Sequence, residues 1–324
     1  MTVAPGVALP PPPGAPRESL LRTEGLTLTY PGGTTALHEL GMDVPRGSVG
    51  LVGANGAGKT TLFRLMLGQL HPTGGRLEVV GRPVADDPVG IRSRLGYMPE
   101  HDCLPNDQTA ADLVATFGEL AGLPAEAARQ RASDMLDLVG LDEARFRPVG
   151  GFSTGMRQRT KLAQALVADP ELVLLDEPTA GLDPMGREEM LDLVGRLATF
   201  GVSVLFATHL LDDVQRVCDH VVMIDAGRLV VAGPIEELVQ RTGILRVEVG
   251  GQPDAVELLT AALAEVGLRV APVDTHVIDV DTAEHGEDVF DLVRDLVADL
   301  GLRLYALSSR HHSLDELFVQ EAQR

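Results

Sequence analysis

The sequence predicts an α/β fold with a mainly parallel sheet and a helical insertion. Between residues 20 and 242, short apolar segments alternate with segments of helical pattern, which is typical of α/β domains. LVLLDEP (172–178) and VSVLFATH (202–209) are continuous β-rich runs, as expected of strands buried on both faces of a parallel sheet. Residues 106–150 show helical patterns without strand signals, so an inserted helical subdomain is placed at about residues 101–168.

The regions on either side of this core differ in composition. Residues 1–18 contain four consecutive prolines and are predicted to form a disordered, extended tail, with a proline-motif docking site as the alternative. The main domain is expected over residues 19–242. Residues 243–324 follow the order strand, helix, strand, strand, helix, strand, which predicts a small α+β domain of ferredoxin-like βαββαβ type. The apolar face predicted for its second helix consists of Val289, Leu292, Leu296 and Leu300.

Composition and charge exclude several classes of function. The 324 residues include 47 acidic and 27 basic side chains, and the resulting net charge of −20 argues against a free-standing nucleic-acid binder. Cys103 and Cys218 cannot build a disulfide framework, so a reducing cytoplasm is expected. No apolar run approaches the roughly 20 residues that cross a bilayer, and the N-terminus lacks the pattern of a signal peptide. We therefore expect a soluble protein, in which any membrane role would come through another chain.

Residues 53–60, GANGAGKT, match the phosphate-loop pattern G-x-x-x-x-G-K-[ST] between a predicted strand and a predicted helix. Its glycines let backbone N–H groups turn inward, and the helix N-terminus adds partial positive charge. Lys59 is expected to reach the β- and γ-phosphates and Thr60 to ligate Mg²⁺. An ordinary glycine turn is the alternative. The residues expected to contact nucleotide are Gly53, Ala54, Asn55, Gly56, Ala57, Gly58, Lys59, Thr60 and Thr61.

Two acids follow a buried strand at 172–175. Asp176 should emerge at the carboxyl edge of the sheet beside the phosphate loop, where it can hold Mg²⁺ through water. Glu177 comes directly after it, and a second acid beside a metal-holding acid is costly unless it has a task. We assign it the polarisation of the attacking water. A solvated turn with two accidental acids is the alternative.

In this order and spacing, GANGAGKTT, FSTGM, LLDEPTAGLD and ATH resemble the motifs of the nucleotide-binding domain of ABC ATPases, over about residues 20–240. The resemblance implies a P-loop NTPase fold, ATP hydrolysis and a head-to-tail dimer. In such a dimer the signature loop of each copy closes over the ATP held by the phosphate loop of the other. The residues that match this loop are Ser153, Thr154 and Gly155.

The resemblance also assigns roles to single residues outside these loops. Tyr30 lies where the family stacks an aromatic ring on adenine, with a tyrosine at the edge of the core as the alternative. His209 matches the switch histidine that senses the γ-phosphate, and it joins Glu177 and Lys59 as a catalytic candidate. Asp183, in AGLD, matches the loop that crosses the dimer interface.

Glu100 departs from the family pattern. After LGYMP the family most often has a glutamine that contacts Mg²⁺ and the attacking water. A carboxylate binds Mg²⁺ more strongly, but it adds negative charge beside Asp176, Glu177 and the phosphates. We expect Glu100 in the metal shell with Thr60 and Asp176, with an altered Mg²⁺ dependence as the consequence.

Three other polar segments are not predicted to form binding sites of their own. His311 and His312 have no acid or cysteine partner at ligand spacing and are expected to be a solvated pair. Residues 281–288, DTAEHGED, are expected to form an acidic loop rather than a cation site. The basic segment MRQRTK (156–161) lies in the helix after the signature loop, so phosphate and interface roles outrank nucleic-acid contact.

Within the ABC family, the sequence resembles the ATPase subunits of bacterial drug, antibiotic or polysaccharide exporters. The resemblance rests on YMPE (97–100), STGMRQR (153–159) and the C-terminal SLDELFV (313–319). It implies a permease on a separate chain, a homodimer or a heterodimer with a paralogous ATPase, and a place at the inner face of the plasma membrane. The alternative is a soluble ABC ATPase acting on ribosomes or DNA, which the acidic charge disfavours. The C-terminal domain is either a dimer-stabilising appendage or a ligand-sensing regulator.

Overall fold

The structure, a computed structural model, describes residues 19–238, 241–281 and 288–311. The chain separates into two compact units, Met1–Ile235 and Glu236–Arg324. Each unit has its own core of buried hydrophobic side chains. Among the described residues, no helix combines the length and the apolar character needed to cross a bilayer.

Some expectations concern residues outside the described ranges. These are the extended tail at 1–18, most of the acidic segment at 281–288, and the segment from 312 onwards with His312 and SLDELFV. The expected domain boundary after residue 242 falls inside a strand that begins at Arg241.

The first unit contains two sheets. An antiparallel sheet has the order β2-β1-β4-β5 and consists of β1 Ser19–Thr29, β2 Thr35–Pro45, β4 Gly74–Val79 and β5 Arg82–Pro83. A six-stranded sheet has the order β10-β9-β3-β8-β7-β6 and is parallel except for its edge strand β10. Its strands are β3 Ser48–Val52, β6 Leu95–Met98, β7 Leu172–Asp176, β8 Ser203–Thr208, β9 His220–Asp225 and β10 Arg228–Pro234.

The central strands of the parallel sheet are buried on both faces. Every residue of β3, β7 and β8 is buried, which is the reason their sequences are continuous apolar runs rather than alternating ones. The parallel strands end at a common edge. The phosphate loop follows β3, Glu177 follows β7 and His209 follows β8, so these segments meet there.

The expected helical insertion is present between β6 and β7. α3 Ala110–Leu120, α4 Ala125–Leu138 and α5 Thr154–Leu166 pack on one another, and two short 3₁₀ turns lie at Asp142–Phe146 and Val149–Gly151. Thr109 accepts the N–H of Asp112 and so caps α3. The other helices of this unit are α1 Lys59–Met66, α2 Pro88–Arg92, α6 Pro184–Thr199 and α7 Leu211–Val217; α8 Ile235–Leu238 follows β10 at the boundary between the units.

The second unit has the predicted ferredoxin-like order. Its antiparallel sheet runs β12-β13-β11-β14. The elements are β11 Arg241–Gly250, α9 Ala255–Glu265, β12 Val270–Asp274, β13 Val277–Asp281, α10 Asp288–Asp299 and β14 Arg303–His311.

The predicted apolar face of α10 was wrong in detail. The fully buried residues are Val289, Val293 and Val297, while Leu292, Leu296 and Leu300 are only half-buried at the edge of the core. The smaller valines, four residues apart, face the sheet directly, and the longer leucines cover the margin. Two apolar stripes overlap on this helix, and the sequence alone does not show which one is central.

Candidate functional site

The phosphate loop connects β3 to α1 in a conformation that requires its glycines. Gly56 and Gly58 have φ angles of +85° and +110°, which side-chain-bearing residues rarely adopt. A Cβ atom on Gly53 would lie 2.4 Å from the carbonyl oxygen of Ile224, so no other residue fits there. α1 has no side-chain cap, so no capping side chain occupies its first backbone N–H groups, which a phosphate-binding helix terminus needs for its ligand.

Lys59 is buried at the start of α1. Its ammonium donates to the carbonyl oxygen of Gly53 at 2.6 Å and lies 3.4 Å from Oε1 of Glu177. The side chain is therefore folded back over the loop. Phosphate oxygens between Lys59 and the loop would meet both the ammonium and the backbone N–H groups.

The three catalytic candidates meet around the carboxylate of Glu177. Nδ1 of His209 lies 3.0 and 3.1 Å from its two oxygens, Thr208 donates its hydroxyl to Oε2 at 3.2 Å, and Lys59 approaches Oε1. Glu177 has a φ angle of +48°, a strained value for a residue with a side chain. Such strain is concentrated at functional sites, where the surrounding contacts hold it.

Asp176 is buried next to Thr60, and the Thr60 hydroxyl donates to its Oδ2 at 3.2 Å. Burial raises the pKa of Asp176, and the negative charges of Glu100 and Glu177 raise it further. The hydrogen bond from Thr60 and the charge of Lys59 act in the opposite direction. Glu100, although exposed, is thus close enough to act on Asp176 through its charge.

The sequence analysis missed Tyr97, in β6. Its hydroxyl donates to Oδ2 of Asp176 at 3.5 Å, and its ring meets Phe63 edge-on with centroids 6.2 Å apart. Burial raises the pKa of Tyr97 to about 12, with a further contribution from the charge of Asp176. The available signal was its place in LGYMP, in the strand paired with β7, but the sequence did not show where the ring points.

The oxygen donors at this place fit a magnesium ion. Hydroxyl and carboxylate oxygens of Thr60, Asp176 and Glu100 are the hard ligands that Mg²⁺ prefers, and the buried negative charge of Asp176 needs a counter-charge. Within the part of the chain that the structure describes, no group of three His, Cys, Asp or Glu side chains could hold a metal by itself. Phosphate oxygens and water would supply the remaining ligands.

Tyr30 lies beside the phosphate loop. Its hydroxyl is 3.2 Å from the hydroxyl of Thr61, and its ring is half-buried against the hydrophobic core. The contact with the core fits the core-edge tyrosine considered above, and the adenine contact stays a prediction. Ala54 and Asn55 are exposed at the loop's tip, while Ala57 is buried beneath it.

The signature loop is in a different place. Ser153 caps α5 by accepting the N–H of Met156 at 3.3 Å, and Asp183 caps α6 by accepting the N–H of Gly186 at 2.7 Å. Ser153, Thr154, Gly155 and Asp183 line one open cleft of about 430 Å³, and none of its lining residues belongs to the phosphate loop or to the acid pair. The expected site residues thus form two groups on one chain.

The basic segment 156–161 points partly inward. Arg157 and Lys161 contact the segment that follows β6, whereas Arg159 pairs with Glu189 beside the signature cleft. Of the three basic side chains in this segment, Arg159 is the one that lines the cleft with the signature residues, together with Met156.

Comparison with known proteins identifies the family. The ABC transporter family profile matches residues 37–180. The daunorubicin resistance ATP-binding protein DrrA3 of Streptomyces coeruleorubidus is 35% identical over 309 residues, which cover 93% of this chain and 95% of that protein. The Nod factor export ATP-binding protein I of Ralstonia nicotianae is 37% identical over 259 residues, covering 79% of this chain and 80% of that protein.

Solved structures share the fold. The cbiO1 protein of Clostridium perfringens, part of the ABC transporter complex cbiONQ, is 28% identical with a TM-score of 0.64, covering 78% of this chain and 98% of that chain. A dimeric ATP-binding cassette in a post-hydrolysis state, bound to ADP and phosphate, is 23% identical with a TM-score of 0.61, covering 67% and 99% of the two chains. At this identity the second likeness concerns the fold.

DrrA3 matches 93% of this chain, and the family match at residues 37–180 includes the phosphate loop and the acid pair. The sequence resemblance and the three-dimensional fold lead to the same family. The chain therefore belongs to the ABC transporter ATP-binding proteins, a family that binds and hydrolyses ATP.

Proposed function

We propose that this chain is the ATP-hydrolysing subunit of a membrane exporter, working as a head-to-tail dimer with a permease on a separate chain at the inner face of the plasma membrane. The observation that carries the dimer is the separation of the two groups of site residues. The cleft with Ser153, Gly155 and Asp183 has no lysine, Asp176 or Glu177 among its lining residues. A triphosphate held by Lys59 of one copy would therefore be capped by Ser153 of another.

In the proposed hydrolysis, Glu177 accepts a proton from the attacking water. The water oxygen bonds to the γ-phosphorus, the bond from that phosphorus to the β–γ bridging oxygen breaks, and ADP leaves. Lys59 and the loop N–H groups stabilise the charge on the phosphate oxygens. His209 orients Glu177 through Nδ1, and its other ring nitrogen is available to the γ-phosphate. A magnesium ion held by Thr60, Asp176 and Glu100 would neutralise phosphate charge.

Export is supported by the relatives. One is named for resistance to daunorubicin and another for export of Nod factor, while cbiO1 is described as part of a transporter complex. Binding of ATP would close the dimer and hydrolysis would reopen it, and this alternation would drive the permease between its two states.

Co-expression with a multi-span membrane protein encoded beside this chain tests this function. After detergent extraction, we expect both chains to elute together, with two copies of this chain per complex and with ATP hydrolysis sensitive to the permease. In sealed inside-out vesicles the ATPase subunits face the outer solution. ATP added there should drive the transported substrate into the vesicles. Recovery of this chain only with ribosomes, or full hydrolysis by a monomer, would contradict the proposal.

A further inference from the structure

Lys161 on α5 is buried, with 3% of its surface exposed, and its ammonium forms hydrogen bonds with backbone carbonyls. Its ammonium donates to the carbonyl oxygens of Pro99 at 2.7 Å, Glu100 at 3.1 Å and His101 at 3.4 Å. Three consecutive carbonyls thus converge on one cation. Burying an ammonium is costly unless its donors are satisfied, and here three acceptors satisfy them.

Arg157 lies one helical turn earlier and holds the continuation of the same segment. It donates to Asp102 at 2.5 Å and to the side-chain oxygen of Asn106 at 3.1 Å. A further bond to the carbonyl oxygen of Val149, at 2.9 Å, ties this segment to the turn just before the signature loop. Two cations at i and i+4 on one face of α5 therefore clamp residues 99–106.

The clamped segment and the clamping helix belong to the two different groups of site residues. The segment carries Glu100, which comes two residues after Met98, and Met98 pairs in the sheet with Leu175, the residue before Asp176. The helix begins at the signature loop, where Ser153 is its N-cap. A displacement of α5 would thus be transmitted to Glu100 through the ammonium of Lys161 and the guanidinium of Arg157.

We propose that Lys161 and Arg157 are positioning residues that fix the Glu100 segment to the signature helix and thereby hold Glu100 in its place beside Asp176. The inference rests on the proposed function, because it assigns Glu100 to the metal shell. The competing interpretation is that the two cations merely stabilise the whole helical subdomain. In that case their loss would loosen α3 and α4 as well as residues 99–106.

Amide hydrogen exchange of the nucleotide-free protein is the first test. Lys161→Ala should speed exchange of residues 99–106 by about tenfold, while α3 and α4 remain as in the wild type. Added propylammonium, which replaces the missing side chain, should slow it again, whereas choline at the same ionic strength should not. Unchanged exchange in 99–106, or an equal rise throughout the subdomain, would overturn the clamp.

Arg145→Gln is the matched control. Arg145 is also a buried cation of the helical subdomain that binds backbone carbonyls, those of Asp142 and Ser133, but it does not contact residues 99–106. We expect its variant to speed exchange in α4 and to leave residues 99–106 unaffected. A rise in 99–106 equal to that of Lys161→Ala would show a general loosening and contradict the proposal.

The Mg²⁺ dependence of ATP hydrolysis is the second test. Lys161→Ala should raise the half-saturating Mg²⁺ concentration several-fold, with rescue by propylammonium, and Arg145→Gln should leave it unchanged. If Glu100→Gln shifts this value and Lys161→Ala does not, the positioning role is wrong. If neither shifts it, Glu100 has no metal role and that part of the proposed function fails, while the exchange experiment still decides the clamp by itself.

Discussion

Helices α1 and α5 both begin at a turn of small residues, but their first turns have different surroundings. α1 starts at a glycine without a side-chain cap, and its first residue, Lys59, is buried against Glu177. α5 starts at the exposed Ser153, whose hydroxyl already accepts the N–H of Met156. The first helix start is surrounded by acids and a cation of the same chain, and the second opens onto a cleft.

This difference shows how one chain can contain a complete half-site and a complementary half-site. The region around α1 has the groups that, in the proposed function, hold phosphate and activate water. The region around α5 has a helix terminus and a hydroxyl, which in the proposed dimer would cap a ligand brought by another copy. Variants in the two regions should therefore fail in different ways, and the predictions below use this contrast.

The largest effect is expected for Glu177→Gln, near α1. It removes the proton acceptor but keeps the size of the side chain, so hydrolysis should fall by about a thousandfold while ATP binding remains. The ATP-bound dimer should persist, which sedimentation with ATP would detect. Glu171→Gln is the control, since Glu171 pairs with Arg46 and Arg94 at the opposite end of β7. Hydrolysis at the wild-type rate in Glu177→Gln would remove it as the base.

Ser153→Arg should separate the two regions. A large side chain at the start of α5 should block closure of the dimer and lower hydrolysis by about a hundredfold, while the chain binds ATP as the wild type does.

Lys59→Ala should instead weaken ATP binding by about ten- to a hundredfold, because a charge-assisted contact to phosphate is lost. Nucleotide titration and sedimentation distinguish the two failures. Equal losses of ATP affinity in both variants would contradict the separation.

Glu100→Gln should have a smaller effect. It restores the amide that is most frequent at this position in the family and removes a negative charge beside Asp176. Hydrolysis should remain measurable, with a several-fold change in the half-saturating Mg²⁺ concentration. A Mg²⁺ titration identical to that of the wild type would place Glu100 outside the metal shell.

The smallest effect is expected for Asp176→Asn in the nucleotide-free protein. Because burial raises the pKa of Asp176, its charged form destabilises the fold, and the neutral variant should be more stable by about 1 kcal/mol, or roughly 2–4 °C in Tm. Because its pKa is raised, Asp176 of the folded wild type becomes protonated and loses its charge at a higher pH than an ordinary aspartate does. The difference in Tm should therefore narrow at lower pH. If the variant is less stable than the wild type at neutral pH, the charge of Asp176 does not destabilise the fold and the prediction is wrong.

The sequence by itself determined the elements and the chemistry that depend on local pattern. Short motifs can be recognised in the sequence because each depends on a few neighbouring residues. Examples are the glycines at positive φ, the lysine at the start of α1 and the acids at the end of β7. The meeting of Lys59, Glu177 and His209 also followed from the sequence. Residues at the carboxyl ends of adjacent parallel strands share one edge of the sheet.

Only the tertiary structure decided where ambiguous side chains point. Tyr97 could have packed away from Asp176, and Arg157 and Lys161 could have remained on the surface as their sequence context suggested. In α10, packing selected Val293 and Val297 over the neighbouring leucines. In each case the outcome depends on which distant segment covers that face, and such non-local contacts leave no periodic trace in the sequence.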